Sequence, residues 1–438
     1  LIFSFKKIKI TAALLIIISL ASSLQAMEQK AIVKSILKGK SPDYETAIDY
    51  IRINLPPFLP KELKDEYLDD DDEDIRGRII TALKLYPPEQ IAPFWIEILK
   101  KTGSTPLEVS IISYLGRNKY FTPVIAEKLL APMSEVRERA AVALKDSGDD
   151  RILPVILNLS KSSKPIDRIY LLEALKHLYD IRFQKLVIAF LNDGNKSVRI
   201  YALQCATDNS IRESIPAIKR LVTNDDNDEV RKRSIESLAY FKDSGSGFII
   251  ASVLKEGKKD LTLTAIRALR DLKYSTAAGQ ISELLLSEKD RDIKAAAIDA
   301  LSGFGRAGNI EGLRKIITKD EDPVIRMKAI HALGEINEER DTIDLLTITL
   351  SDNDYRIRGE GCSALGKLKK SRPSPLLLNQ IRGDNSRYVR SAALYSLEKI
   401  RDTKDIIPLF DIYSEERDPV FRHLLKDYLR SSVIRLTR

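Results

Sequence analysis

Val324-Ile325-Arg326-Met327-Lys328-Ala329-Ile330-His331-Ala332-Leu333-Gly334 carries the pattern that decides the fold. A branched aliphatic residue precedes an arginine, a small or apolar residue follows three positions on, and Ala-Leu closes the run at six and seven. The same register returns at Arg76, Arg137, Arg168, Arg199, Arg231, Lys294, Arg358, Arg390 and Arg422. Glu108 and Thr262 fill the arginine slot in two divergent copies. Successive slots from 76 to 422 lie 29, 31 or 32 residues apart, and the last five gaps are all 32. Twelve units in register define a tandem array, which replaces the two or three globular domains that length alone suggests. A degenerate copy spans Tyr44 to Ile51.

Each unit reads as two helices. In the second, the positions one before the slot and three, four and seven after it fall on one face at 100° per residue. The first is shorter and apolar, as in Ile215-Pro216-Ala217-Ile218-Lys219-Arg220-Leu221-Val222. Pro93, Pro123, Pro154, Pro216, Pro375 and Pro408 all fall 14 or 15 residues before the next slot. Proline suits the first helical turn, where its missing N–H has no partner to lose. Acids or amides stand six and four residues before the slot, as in Asp193/Asn195, Asp225/Asn227, Asp320/Asp322 and Asp352/Asp354. They are expected to cap the second helix and to favour its positive end.

The N-terminus has a different logic. Lys6, Lys7 and Lys9 precede an apolar stretch from Ile10 to Leu20, and Ala21-Ser22-Ser23-Leu24-Gln25-Ala26 offers a small-residue exit. This reads as a secretory signal peptide over residues 1–26, cleaved after Ala26. Its apolar run is too short to span a bilayer, so no stable membrane insertion is expected once it is removed. Residues 27–60 read as an N-terminal cap holding the degenerate copy, set off by Ile53-Asn54-Leu55-Pro56-Pro57-Phe58-Leu59-Pro60, and 61–438 as the array. The net charge is +8, and the three leader lysines leave +5 on the remainder.

These units resemble bacterial HEAT-like repeats, including those of phycobilin-lyase subunits, over residues 61 to 430. The resemblance implies an all-α fold, an α-solenoid of about twelve HEAT-like helix pairs in a right-handed superhelix. It also implies a hydrogen-bonding ladder between turn acids and slot arginines, carried over here as Asp322 with Arg326, Asp354 with Arg358, and Asp418 with Arg422. Glu108 and Thr262 cannot play the arginine part. The scaffold hosts many tasks, so it says little about function.

Residues that invite chemistry have simpler readings. The run Asp69-Asp70-Asp71-Asp72-Glu73-Asp74 lacks the glycine and terminal glutamate of an EF-hand loop, and Asp70 and Asp72 hold the ordinary turn positions before Arg76. His177, His331 and His423 lie in different repeats at different helical positions. None precedes a glutamate, as the di-iron ligands of HEAT-like hydroxylases do. Cys205 and Cys362 stand five repeats apart and read as small core residues. No catalytic motif is present, and no cofactor or metal is expected. Nucleic acid is the rival partner, given the basic balance and the existence of HEAT-like DNA glycosylases. Slot arginines flanked by turn acids make a poor phosphate track, however, and export removes the chain from DNA.

The expected function is therefore a non-enzymatic, monomeric scaffold in the bacterial envelope, periplasmic or secreted, that grips a protein or peptide. An accessory subunit of an envelope-polymer-modifying enzyme is the alternative. Positions one, two, five and nine after the slot point away from the core face, and the resemblance puts that side on the concave surface. Read across consecutive units, the second position gives Arg139, Tyr170, Tyr201 and Arg233; the fifth gives Glu173, Gln204, Glu236 and Arg267. Tyrosines bracketed by arginines form the most partner-like stretch, because both types are enriched at interface hot spots.

Overall fold

A computed structural model describes residues 29–436, except 41, 58, 71, 121, 179, 306–309, 337–339 and 369–372, and except the side chains of 340, 341, 435 and 436. The leader expected over residues 1–26 lies outside the described residues. All regular structure among the described residues is helical, with no strand, so the fold is the all-α solenoid anticipated from the repeat. Contacts divide the chain into two compact units, Leu1–Leu186 and Val187–Arg438.

The first unit contains four regular helix pairs: Leu59–Asp69 with Glu73–Leu83, Pro88–Lys101 with Thr105–Arg117, Pro123–Glu127 with Ser134–Ser147, and Ile152–Leu159 with Pro165–Leu178. The degenerate copy lies in the helix Asp43–Asn54. Arg78 stitches the helix at 29–38 to the first regular pair, donating to the carbonyls of Ile36 and Leu37 at 3.1 and 2.7 Å. In the second unit, seven complete pairs follow the helix Lys196–Asp208, from Ile215–Asn224 with Asp228–Tyr240 to Ile406–Glu415 with Pro419–Leu436.

The uneven repeat length has a structural cause. At 32-residue spacings in the second unit the first helix has ten residues, as in Ile215–Asn224, Ala278–Ser287 and Ile310–Lys319. The 31-residue gap between Arg231 and Thr262 shrinks it to Gly247–Ser252 plus the 3-10 turn Val253–Lys255. The 29-residue gap before Arg137 leaves only Pro123–Glu127 and the turn Lys128–Leu130. Length changes fall on first helices because the second helices carry contacts to both neighbours. One proline expectation needs correction: Pro93 lies inside Pro88–Lys101, because Pro87-Pro88 starts that helix a turn and a half earlier.

The core follows the sequence register. Ile325, Ala329, Ile330 and Leu333 are all buried, as are their counterparts Val198, Ala202, Leu203 and Ala206. The alanine six after the slot has a separate purpose. It meets the residue eight after the slot of the preceding unit, where second helices approach most closely. A Cβ on Gly334 would stand 3.0 Å from both the Cα and the Cβ of Ala364, and one on Gly116 would stand 2.5 Å from the Cβ of Ala143. With Thr207 and Ser237 in these positions, the two hydroxyls share a 3.0 Å hydrogen bond.

Candidate functional site

The turn acids divide their work by position. The residue four before the slot caps the second helix: Asn195 accepts from the N–H groups of Ser197 and Val198, and Asn227 from those of Glu229 and Val230. Asp72 does the same for Asp74 and Ile75, so this part of the acidic run is an inter-helix turn. The residue six before the slot accepts the backbone N–H two residues on, as in Asp225 with Asn227 at 2.9 Å and Asp352 with Asp354 at 2.8 Å. Its second task is the ladder.

That ladder corrects the pairing implied by the resemblance. The Arg326 guanidinium bonds both carboxylate oxygens of Asp352 at 3.0 Å, whereas Asp322 receives from Arg326 only the backbone N–H, on its carbonyl. The Arg358 guanidinium reaches Asp384 at 2.6 and 3.0 Å, and the Asp354 carbonyl likewise receives from Arg358 only the backbone N–H. Asp418 receives Arg387 at 2.6 Å and Arg390 at 3.1 Å, while its carbonyl takes the backbone N–H of Arg422. Arg326, Arg358 and Arg390 thus pair with the turn of the next unit, while Asp322 and Asp354, the four-before acids of the first two, cap their own second helices. Arg199 with Asp225, Arg231 with Glu256 and Lys294 with Asp320 follow the same rule. The other edge of the guanidinium holds its own turn, as in Arg199 to the carbonyl of Asp193 at 2.9 Å and Arg358 to that of Asp352 at 2.8 Å. Buried Thr262 interrupts the series, whereas Glu108 accepts a bond from Lys128.

With these arginines engaged in the stack, the outward face of the second helices remains for other work. Arg139, Tyr170 and Glu173 belong to the first unit. Arg139 is exposed; Tyr170 is half-buried, and the guanidinium of Arg137 lies 4.1 Å from its ring centre. Arg137 also bonds Glu173, so Tyr170 and Glu173 both serve the scaffold. Tyr201, Gln204, Arg233, Glu236 and Arg267 belong to the second unit. Tyr201 is half-buried and the other four are exposed. Of the eight, the structure pairs Arg233 with Glu236 on one helix and brings Glu236 and Arg267 into one groove, of about 790 Å³, between Asp228–Tyr240 and Lys259–Asp271.

Tyr240, Asp271, Arg212 and Lys242 also line this groove. Tyr240 and Asp271 occupy the ninth position, which the sequence marks as outward-facing. Arg212 and Lys242 sit in turns after second helices, and no periodicity in the sequence points to them. A second groove, about 690 Å³, lies between later second helices. Its charges are paired across the stack: Lys328 with Asp299 at 2.7 Å and His331 with Glu360 at 3.0 Å.

Cys205 and Cys362 are buried thiols, as their place in the register suggests. Burial pushes the Cys362 thiol up to about 12. The expected result is that a thiol reagent labels neither cysteine in the native chain and both in urea, since only the thiolate reacts quickly. Rapid native labelling of either one would contradict this packing. No group of three or more metal-ligating side chains comes together among the described residues.

The fold and the ladder define a helix-pair repeat protein whose units interlock through their turns. The family model for HEAT repeats matches residues 183–270, 247–334, 280–360 and 343–430, more than half of the chain, and the chain belongs to this family. Among solved structures it is similar to Kap121p bound to Nup53p, at 14% identity over 92% of this chain and 51% of that one, with a TM-score of 0.56. The karyopherin Kap121p bound to the extreme C-terminus of the protein phosphatase Cdc14p matches at 12% identity, 93% and 53% coverage and a TM-score of 0.50. The complex of CpcE and CpcF of phycocyanin lyase from Nostoc sp. PCC7120 matches at 15% identity, 57% and 94% coverage and a TM-score of 0.31. The chain spans about half the length of the karyopherins it matches. No curated protein matches the chain by sequence.

Proposed function

We propose that this protein is a non-enzymatic scaffold that holds a protein or peptide partner along its second-helix face, and that it works after export, in the periplasm or outside the cell. The observation that carries the reading is the division of labour on the second helices. One set of positions builds core and ladder, while in the second unit Gln204, Arg233, Glu236 and Arg267 of the outward set are exposed and differ in chemistry from repeat to repeat. In the second unit the second helices pack together more closely than the first helices do, which supports an inner, concave place for this face. The similar fold of the karyopherin Kap121p has been determined bound to Nup53p and to the extreme C-terminus of the protein phosphatase Cdc14p, which supports the binding of a protein partner. The ladder also weighs against nucleic acid, since the repeated arginines are neutralised by acids within the stack.

Tagged protein isolated from envelope fractions after cross-linking should carry one stoichiometric protein partner. Turnover of glycan or lipid by the purified chain would overturn the scaffold reading. Export has its own measurement: the mature protein should begin at Met27 by intact mass. A full-length cytoplasmic product would contradict both cleavage and the envelope assignment.

A further inference from the structure

Charge pairing separates the groove between Asp228–Tyr240 and Lys259–Asp271 from its neighbour. Its two acids are already neutralised: Glu236 bonds Arg233 at 3.3 Å and Asp271 bonds Arg270 at 2.9 Å. Its cations are less fully matched. Arg212 donates to the carbonyl of Phe241, at 3.1 Å, and faces Asp243, a carboxylate it shares with Lys219. The side chains of Arg267 and Lys242 are exposed and have no hydrogen-bond or ion-pair partner among the described residues. The groove therefore gathers three cations from one second helix and two turns, and two of them have side chains without a partner among the described residues. Tyr240 adds an aromatic wall, 59% exposed and held edge-on by Phe241 at 6.0 Å between ring centres. The volume of about 790 Å³ accommodates several side chains of an extended peptide.

We infer that this groove binds an acidic segment of the partner protein, with carboxylates on Arg267, Lys242 and Arg212 and an aromatic or aliphatic side chain against Tyr240. The inference rests on the scaffold reading and gives it a place and a partner chemistry. Carboxylates suit the site because guanidinium and ammonium groups without partners gain a charge-assisted bond on binding and break none. A basic segment would meet like charges and an already satisfied Glu236.

The test uses the full mature chain and a fluorescein-labelled octapeptide of aspartate and phenylalanine, read by fluorescence anisotropy at low and high salt. Controls are the same peptide with lysine for aspartate and a thymidine oligonucleotide of equal charge. The aspartate peptide should bind, and should weaken with salt. The double variant Arg267→Glu with Lys242→Glu should lose affinity by about tenfold or more, and Tyr240→Ala by about fivefold, with unchanged thermal melts. No binding of the aspartate peptide, equal binding of the lysine peptide, or unchanged affinity in the double variant would each overturn the inference. So would an oligonucleotide that binds more tightly and loses affinity in the same variant. If the double variant still retains the partner recovered by the parent chain, this groove is excluded while the scaffold stands. The scaffold itself falls if the parent chain recovers no partner.

Discussion

Arg358→Ala is expected to lower the stability of the second unit by about 3–5 kcal/mol, the range for removing one partner of a buried ion pair. The side chains of Arg358 and Asp384 are 15% and 5% exposed, so truncation strands a carboxylate with little water to solvate it. It also frees the carbonyl of Asp352. The repeat supplies its own control, because Lys294 fills the same slot and holds Asp320 at 2.6 Å. Arg358→Lys should therefore keep the ion pair and cost only about 1 kcal/mol for the lost carbonyl bond. Urea unfolding measures the total, and hydrogen exchange should place the loss in the two pairs that flank Asp384, since a solenoid's stability is a sum over neighbouring interfaces. The double variant Arg358→Ala with Asp384→Asn should be less destabilised than Arg358→Ala alone. Simple addition of the two single effects would show that the ladder carries no coupling.

The same pair has a pH signature. Burial pushes the Asp384 carboxyl up, but the bonds from Arg358 and the Ser386 N–H outweigh it and hold the group below its ordinary 3.8. A depressed folded pKa gives stability that is present above the unfolded value and is lost as pH falls through the folded one. The gap between parent and Arg358→Ala should thus be full at neutral pH and should narrow below about pH 4. A gap independent of pH would mean that Arg358 acts through packing alone.

Trp95→Ala should cost the first unit about 3–5 kcal/mol, the usual range for truncating a buried aromatic side chain. Trp95 is 1% exposed and leans on Tyr114, with ring centres 5.9 Å apart. Its indole N–H is buried without an acceptor among the described residues. Trp95→Phe should therefore cost far less, because the smaller ring leaves only a partial cavity and removes a donor whose burial is itself unfavourable. Trp95 is the single tryptophan of the chain, so its emission follows the first unit alone. Far-UV circular dichroism follows the variants. Equal losses for the alanine and phenylalanine substitutions would show that the indole has a partner in solution.

The sequence by itself determined the repeat and its internal order. The 32-residue return of the slot set the helix pairs, and the apolar positions around it predicted the buried face from Ile325 to Leu333. Turn amides and acids such as Asn195, Asn227 and Asp354 marked where their second helices start, because capping is settled within four residues. All of these are local: periodicity and caps operate over one or two helical turns, and the chain displays them wherever they occur.

Only the tertiary structure decided what lies one repeat away. The Arg326 guanidinium reaches Asp352 of the next repeat, while Asp322 caps its own helix and takes Arg291 of the preceding repeat, which sequence distance cannot show. Ala364 is small for the sake of Gly334, not for the core beneath it. Tyr170 and Glu173 read as surface along the helix, yet Arg137 of the neighbouring repeat engages both. Arg212 and Lys242 reach the groove of Arg267 from turns that carry no periodic signal. A repeat writes its own fold into every copy, but its contacts and its clefts form between copies. There the partner of a side chain is set by stacking distance and by which groups are already bonded.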